Sequence, residues 1–229
     1  MIKIISWNIR QGGGSRILKI IRAIQNAKPH IITLNEYHNN KSGIRLRNEL
    51  LHLGYRYQFV TNSPNSVNSV IIASKIPCES RIFPESDRRY ANNIICASFV
   101  AFDLYGVYFP HKKKHRLFNF FLDHLPLQKP SIITGDFNSG INGVDQKGNS
   151  FWYENELMAL DKIQYIDAFR FKNGGIKEYS WYSYQGNGYR YDHTYIHDDL
   201  SPITTACYYN HQIRLDGISD HSMMVLELG

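Results

Sequence analysis

The stretch Ile132-Ile133-Thr134-Gly135-Asp136-Phe137-Asn138 is an apolar run that ends in an acid and an amide two residues apart. Pro130 interrupts whatever precedes the run, and Gly135 lets the backbone turn. Alternation along a strand predicts that Asp136 and Asn138 point the same way at its carboxyl end. The alternative is an ordinary turn, because Asp and Asn side chains also bond their own backbone.

Length and composition limit the classes of protein that the chain can represent. Its 229 residues are 43% hydrophobic, which is enough for a sizeable core, and we expect one domain over residues 1–229. No apolar stretch approaches the roughly 20 residues that cross a bilayer, and the first residues lack the layout of a signal peptide. We therefore expect a cytoplasmic monomer that does not contact a membrane.

The net charge indicates the kind of partner to expect, and the spacing of the cysteines indicates whether a disulfide framework or a zinc site is present. The formal net charge of +6 favours a polyanionic partner. Three cysteines, Cys78, Cys96 and Cys207, are far apart and lack a C-x-x-C spacing. Neither a disulfide framework nor a zinc knuckle is therefore predicted.

Hydrophobic periodicity predicts alternating groups of helices and strands. Ile17, Ile20, Ile21 and Ile24 recur at helical spacing and predict a first helix that ends before Pro29. Further helices are predicted at residues 43–53, 112–125 and 151–160. Besides the run that ends at Asp136, strands are predicted at residues 2–7, 30–34, 55–61, 69–74, 93–99, 101–108, 179–184, 189–197, 203–208 and 222–228. This order predicts two packed sheets with helices on their outer faces.

Polar residues recur where the predicted strands end. They are Asn8, Glu36, Tyr108 with His111, Asp136 with Asn138, Asp192 with His193, and Asp220 with His221. Most have a simpler explanation as turn or cap residues, and Asp192 could form a salt bridge with Arg190. His221 is the exception, because an imidazole at the mouth of an apolar strand is well placed for a shifted pKa.

Six motifs in one order resemble the endonuclease/exonuclease/phosphatase superfamily. They are Ser6-Trp7-Asn8-Ile9, Leu34-Asn35-Glu36, Val107-Tyr108-Phe109-Pro110, Gly135-Asp136-Phe137-Asn138, Arg190-Tyr191-Asp192 and Ser219-Asp220-His221-Ser222. Tyr108-Phe109-Pro110 and Tyr179-Ser180-Trp181-Tyr182 resemble its exonuclease III and abasic-site endonuclease branch. Other branches carry a Thr-His pair at the position of Tyr108. Two positions depart from the branch, Asn35 in place of Gln and His111 in place of Asn or Gln.

The resemblance implies an α/β fold: a four-layered α/β-sandwich of two mixed sheets packed face to face, with helices on the outer faces. It also implies a phosphodiesterase that requires Mg²⁺, or Mn²⁺ in its place, and that acts on DNA as an endonuclease or exonuclease in DNA repair. Glu36, Asn8 and Asp220 would hold the metal, since a hard cation prefers oxygen ligands. The implied catalytic residues are Asp136, Asn138, His221, Asp192 and Tyr108.

Those catalytic residues have distinct implied roles. Asp136 would orient or deprotonate the attacking water, and Asn138 would donate its amide to the phosphate or help hold that water. His221, oriented by Asp192, would donate a hydrogen bond or a proton to a phosphate oxygen. Tyr108 would bond the phosphate or assist the leaving oxygen.

Two further groups are expected to contact the substrate. His111, Lys112, Lys113 and Arg116 belong to a basic run, which also contains Lys114 and His115, and which would follow a DNA backbone or form a solvated surface. By the resemblance, Ser180, Tyr189 and Tyr191 lie near a pocket for a base-less sugar, and Trp181 and Arg190 beside them are also expected to contact the substrate. The two tyrosines could instead stack a base. The loop 182–188 is short for wedging a duplex open, which does not favour specificity for abasic sites.

Two other functions are compatible with the same motifs. A phosphoesterase for a small-molecule or lipid-linked phosphate could use the same metal site, because a fold does not determine its substrate. The basic charge and the Tyr108 motif favour DNA. An inactive binding module would have lost at least one catalytic position, and all six motifs are intact.

Overall fold

The computed structural model describes residues 1–61, 63–81, 92–125 and 129–229. The helices are α1 (Ile17–Ala27), α2 (Lys41–His52), α3 (His115–His124), α4 (Glu154–Met158), α5 (Ala168–Asn173) and α6 (Gln212–Leu215). The first strands are β1 (Ile2–Asn8), β2 (Ile31–Tyr37), β3 (Tyr57–Val60), β4 (Ser69–Ser74), β5 (Glu79–Arg81), β6 (Ile94–Ser98) and β7 (Asp103–Tyr108). They are followed by β8 (Ser131–Asp136), β9 (Tyr165–Asp167), β10 (Trp181–Tyr182), β11 (Gly188–Tyr189), β12 (Asp192–His197), β13 (Thr204–Asn210) and β14 (Met223–Leu228).

The strands form two six-stranded sheets and one short ribbon. Sheet one has the order β13-β14-β1-β2-β4-β3, and sheet two has the order β5-β6-β7-β8-β12-β9. Strand β1 runs parallel to β2 and β7 runs parallel to β8, while their other neighbours are antiparallel. Strands β10 and β11 form the ribbon. Both sheets are therefore mixed.

Three apolar clusters define four layers. The central cluster joins the facing sides of the two sheets through residues such as Ile4, Ile72, Leu104 and Ile132. The next residue along each strand faces outward: Ile5 packs with α1 and α2, and Ile133 packs with α3 and α4. Strands covered on both faces need continuous apolar runs, which explains the sequence around Ile132. The predicted four-layered α/β-sandwich is confirmed.

Two glycines allow close approach of backbones in these layers. A Cβ at Gly106 would lie 2.8 Å from Cγ2 of Thr33, where β7 of sheet two packs on β2 of sheet one. Gly135 has a φ of +154°, and a Cβ there would lie 1.9 Å from the carbonyl oxygen of Val107. Gly135 thus lies within β8, where its contact with β7 requires glycine, and the predicted turn begins only after Asp136.

The predicted elements occur in the expected order but differ in their ends. The helix expected at 112–125 begins at His115, because Lys113 adopts a left-handed φ of 59° that stops helical propagation. The helix expected at 151–160 spans only Glu154–Met158, and the strand expected at 189–197 is divided at residues 190–191. Strands β5 and β9 and helices α5 and α6 were missed, because segments of three to six residues are too short to show periodicity.

Candidate active site

Strand order brings the predicted polar residues together at one end of the two sheets. In sheet one, β1 lies between β2 and β14, so Asn8 is flanked by Glu36 on one side and by the segment before Met223 on the other. In sheet two, β8 lies between β7 and β12, and Asp136 pairs in register with both Tyr108 and Asp192.

Asn8 connects the two sheets. Its Nδ2 donates to Oδ2 of Asp136 at 2.9 Å and to Oε1 of Glu36 at 3.2 Å. The Oγ of Ser219 donates to the backbone oxygen of Asn8 at 2.6 Å, which fastens the Asp220 segment to the same strand end. The predicted metal ligands and the predicted base therefore form one hydrogen-bonded group.

Glu36 lies at an irregular position in its strand. Its φ is 54°, and the pairing of β2 with β4 shifts register between Asn35 and Tyr37. A bulge of this kind changes the direction of one side chain, and the unfavourable φ of a non-glycine residue is typical of functional sites. The carboxylate accepts from the backbone N–H of Gln11 at 2.7 Å, which keeps it at the mouth of the site.

Asp136 and Asn138 form both a turn and a site. Oδ1 of Asp136 accepts from the backbone N–H of Asn138 at 2.8 Å, and Asn138 has a φ of 47°. Nδ2 of Asn138 donates to Oδ2 of Asp136 at 3.2 Å and to the carbonyl of Phe109 at 2.9 Å. The turn considered as an alternative is thus the device that holds the amide beside the carboxylate.

His221 and Asp192 form a buried pair. Nδ1 of His221 lies 2.7 Å from Oδ2 of Asp192. Burial by itself would lower the pKa of His221, but the carboxylates of Asp192 and Asp136 raise it to about 10. Burial raises the pKa of Asp136 to about 7, and the charge of His221 opposes that rise. An imidazolium and a carboxyl that titrates near neutrality are suited to acid and base roles.

Tyr108 faces the same group. Its hydroxyl donates to Oε1 of Glu36 at 3.4 Å and accepts from Nδ2 of Asn68 at 3.0 Å. Burial, followed by the charges of Glu36 and Asp136, raises the pKa of this phenol. Tyr108 is therefore a neutral hydrogen-bond donor at physiological pH.

Two arrangements could hold a cation. Glu36, Asn8 and Asp220 offer the oxygen donors that Mg²⁺ prefers, and Asp220 is half-exposed, with 40% of its side chain accessible. Ligand atoms of Asp136, Asp192 and His221 also lie within 4.8 Å of one another. This second group includes a nitrogen ligand, whereas Mg²⁺ prefers ligands that are all oxygen. The donor set at Glu36 fits a hard cation better.

A cleft of about 470 Å³ opens beside Asn138. We call it the aromatic cleft, and its lining residues are His111, Asn138, Asn149, Ser150, Phe151, Trp152, Tyr153, Trp181, Ser183, Tyr189 and Tyr191. The predicted contacts His111, Trp181, Tyr189 and Tyr191 are thus brought together. Residues 149–153 were missed, because they were assigned to a loop and a helix, whereas the helix begins only at Glu154.

The structure corrects the prediction made for Arg190. It was expected to contact substrate, but its side chain is 0% exposed. Its Nε lies 2.7 Å from Oδ1 of Asp145 and its Nη2 lies 2.6 Å from Oδ2 of Asp167. These pairs use the guanidinium inside the protein, so Arg190 has a structural role. Asp192, for which a pair with Arg190 was considered, bonds His221 instead.

The basic run divides into exposed and buried members. Lys112, Lys113 and Arg116 are exposed, and Nζ of Lys112 lies 5.3 Å from the ring centroid of Trp152 at the cleft. Lys114 is fully buried and donates from Nζ to the carbonyls of Phe137 and Asn138. Sequence reasoning grouped Lys114 with its neighbours, because a charge pattern does not show that one side chain turns inward.

Ser180 was noted only as a neighbour of the site. It is 0% exposed, and its Oγ accepts from the backbone N–H groups of Tyr191 and Asp192 at 3.0 and 3.2 Å. These bonds hold the ribbon of β10 and β11 against the start of β12. Ser180 therefore positions Asp192 and the cleft wall together.

The sequence was also compared with family models. The model of the Endonuclease/Exonuclease/phosphatase family matches residues 5–221, which include every polar strand end from Asn8 to His221. The chain belongs to the endonuclease/exonuclease/phosphatase family. Membership in this family indicates a hydrolase of phosphoester bonds, in the class of nucleases and phosphatases.

Solved structures with the architecture of this family member include an AP endonuclease from Archaeoglobus fulgidus, with a TM-score of 0.86 at 20% identity over 100% of this chain and 99% of that one. The 3′ phosphatase NExo from Neisseria, bound to a product DNA hairpin, has a TM-score of 0.86 at 18% identity over 100% of both chains. The 3′-5′ exonuclease NExo from Neisseria meningitidis has a TM-score of 0.85 at 18% identity over 99% of both. These likenesses establish the fold.

Neither a curated relative of the chain nor, in its described part, a membrane-spanning helix is found. No curated protein matches the sequence of this family member. Across the described ranges, its helices are too short or too polar to cross a bilayer.

Proposed function

We propose that residues 1–229 act as one catalytic domain, a divalent-metal-dependent phosphodiesterase that hydrolyses DNA in the manner of exonuclease III. One observation carries the proposal. Asn8 donates hydrogen bonds to both Glu36 and Asp136. An oxygen ligand for a hard cation, Glu36, therefore lies close to the carboxyl of Asp136, whose pKa is raised to about 7. Hydrolysis of a phosphodiester by water needs these two functions next to each other.

The chain's own groups divide the remaining work. Asp136 accepts the proton of the attacking water, since its pKa lies near the working pH. His221, held by Asp192, donates from its other ring nitrogen to a phosphate oxygen. The amide of Asn138 and the hydroxyl of Tyr108 provide neutral donors beside these charged groups. No covalent intermediate is required.

The metal would be held by Glu36, with Asn8 and Asp220 beside it. A bound Mg²⁺ or Mn²⁺ would supply positive charge for the phosphoryl oxygens as negative charge develops on them. The carboxylate of Glu36 accepts hydrogen bonds from neutral donors, namely Asn8, the Gln11 backbone N–H and Tyr108, which leave its charge for a cation to balance. The donor set therefore supports a divalent cation.

DNA is the substrate that the surroundings of the site favour. Lys112, Lys113 and Arg116 are exposed near the cleft, and basic side chains of this kind bind a phosphate backbone. The architecture is shared with a 3′ phosphatase that was solved with a DNA hairpin. The net charge of +6 also favours a polyanionic substrate such as DNA.

The test measures hydrolysis of labelled duplex DNA and of bis-p-nitrophenyl phosphate, with Mg²⁺ or with a chelator. We expect activity only with the metal. Glu36→Ala should raise the Mg²⁺ concentration needed for half-maximal rate, because the charged ligand is lost. Asp136→Asn and His221→Ala should each lower kcat at least about a hundredfold with little change in DNA affinity.

Several outcomes contradict parts of the proposal. Full turnover of Glu36→Ala at low Mg²⁺ would show that Glu36 does not hold the metal. A loss confined to KM in Asp136→Asn would show that Asp136 binds substrate rather than activating water. Hydrolysis of a phosphomonoester or lipid-linked phosphate, with none of DNA, would favour the alternative phosphoesterase. Phe171→Ala, on an exposed side chain outside the site, serves as the control.

A further inference from the structure

The aromatic cleft is continuous with the proposed catalytic group. Asn138 lines the cleft and also donates to Asp136. Tyr191 lines it as well, with its ring centroid 6.5 Å from that of His221. A group inside the cleft would therefore lie next to the proposed catalytic residues, where it can belong to the nucleotide whose phosphate is cleaved.

The inner wall of the cleft consists of stacked rings. Tyr189 and Tyr191 are nearly parallel, with centroids 5.3 Å apart and an interplanar angle of 11°. Trp181 lies 5.5 Å from Tyr191, and Phe151 lies 6.0 Å from each tyrosine. Rings held by one another lose little freedom when a planar ligand packs on them.

The outer rim adds an exposed indole with an imidazole and one ammonium near it. Trp152 is 69% exposed, so most of its surface is free for a ligand. His111 lies 6.3 Å from its ring, and the ammonium of Lys112 lies 5.3 Å from its centroid. An aromatic face beside positive charge is the arrangement that binds single-stranded nucleic acid, where bases stack and the backbone meets cations.

We propose that the aromatic cleft binds an unpaired nucleobase, and that Trp152 is the residue that selects a base-bearing nucleotide over a base-less one. The inference rests on the proposed function, because it identifies the substrate of the same site. A base-less sugar has no flat face for these rings. A base within a duplex has both faces covered by its neighbours, so it must leave the stack before Trp152 can contact it. Single strands and frayed ends are therefore the preferred substrates.

The volume and the polar groups of the cleft agree with a base. About 470 Å³ lies within the range of roughly 300–1,000 Å³ that holds small organic ligands. Asn149, Ser150 and Ser183 lie among the rings and offer hydrogen bonds to the edge of a base. Tyr189 is only 8% exposed and its ring packs on that of Tyr191, so Tyr191 and Trp152 are the rings that can contact a base.

The test uses two labelled single strands that are identical except at one residue, which is thymidine in the first and a base-less tetrahydrofuran in the second. Cleavage at that residue is followed with Mg²⁺, and affinity is followed by fluorescence anisotropy in chelator. We expect the wild type to prefer the thymidine strand in both assays. Trp152→Ala should weaken binding of that strand at least about fivefold and should leave the base-less strand nearly unchanged. Trp152→Phe should restore most of the preference.

The controls separate this inference from the proposed function. Phe171→Ala removes another exposed aromatic side chain, outside the cleft, and should keep the wild-type preference. Equal binding and cleavage of the two strands, or an unchanged preference in Trp152→Ala, would overturn the inference while hydrolysis of bis-p-nitrophenyl phosphate upheld the proposed function. If no diester is hydrolysed, the proposed function fails, and the anisotropy measurements alone decide whether the cleft binds a base.

Discussion

Lys114 shows how one buried residue can support a catalytic turn. Its ammonium donates to the carbonyls of Phe137, at 2.9 Å, and Asn138, directly behind the Asp136 turn. Burial lowers the pKa of Lys114 to about 7, and the charge of Asp136 opposes that shift. A buried lysine without a paired carboxylate is costly, and the two carbonyls that it satisfies are the compensation.

Lys114→Met should therefore damage both the turn and the reaction. The substitution leaves the two carbonyls without their donor, and we expect a loss of about 1–3 kcal/mol in the free energy of unfolding. Because Asn138 then loses its fixed position, kcat for bis-p-nitrophenyl phosphate should fall at least about tenfold at a temperature where the variant is folded.

Lys113→Met is the matched control for Lys114→Met, since the Lys113 side chain is exposed. It should keep the wild-type stability and kcat. Wild-type kcat in a folded Lys114→Met protein would contradict the positioning role of Lys114.

At the scale of elements, Arg190 joins three segments that periodicity does not connect. It follows β11, and its partners lie in the loop before Lys147 and at the end of β9. Arg170 of α5 also bonds Asp145. Burial would raise the pKa values of Asp145 and Asp167, but the Arg190 guanidinium outweighs it and lowers both. The cluster thereby fastens the ribbon and its cleft to sheet two.

Arg190→Met should be destabilising at neutral pH and much less so in acid. At pH 7 it leaves buried Asp167 without its guanidinium partner and Asp145 with Arg170 alone, at a cost of about 3–5 kcal/mol in the free energy of unfolding. In the wild type, the lowered pKa values of Asp145 and Asp167 stabilise the fold. This contribution is fully present well above pH 3.8, the ordinary pKa of Asp, and is lost as the pH falls below that value. The difference between the two proteins should narrow from pH 7 to pH 3, as measured by urea denaturation.

Arg170→Met is the control for Arg190→Met. Arg170 is partly exposed, and Asp145 keeps Arg190 as a partner when it is removed, so the cost should be smaller. A pH-independent difference between wild type and Arg190→Met would show that lost packing, rather than the ion pairs, explains the destabilisation.

On the scale of the whole molecule, the net charge of +6 can contribute to DNA binding only through basic side chains that lie beside the candidate active site. Lys112, Lys113 and Arg116 are exposed where the chain leaves the aromatic cleft for α3. Lys114 does not belong to this surface. DNA binding by these side chains releases counterions, so the affinity should depend on salt.

Replacing Lys112, Lys113 and Arg116 together with Ala should flatten the dependence of log affinity on log salt. The slope should change by about 0.9 for each duplex phosphate that the variant no longer neutralises, while kcat for bis-p-nitrophenyl phosphate stays unchanged. Anisotropy of a labelled duplex across a salt series measures the slope.

A second triple variant provides the matched change in charge. Lys19, Arg22 and Lys28 are exposed in or just after α1, which covers sheet one rather than sheet two. Their replacement should leave the slope almost as in the wild type. Equal slopes in both triple variants would show that the basic run is only a solvated surface.

The sequence by itself determined the layers and the order of the polar strand ends. Alternation and helical spacing depend on neighbours a few residues apart, and the six motifs each lie within such a span, so Glu36, Asp136 and His221 could be proposed as site residues from the resemblance without coordinates. The apolar runs that fill both faces of β1 and β8 follow from the same local pattern.

Only the tertiary structure decided which way individual charged and aromatic side chains point. Arg190 and Lys114 are buried because distant segments, at Asp145, Asp167 and Phe137, supply partners that desolvated charges require. Trp152 reaches the cleft because α4 begins three residues later than periodicity suggested. Burial and ion pairing are set by residues far apart in the chain, and for that reason a local pattern could not reveal them.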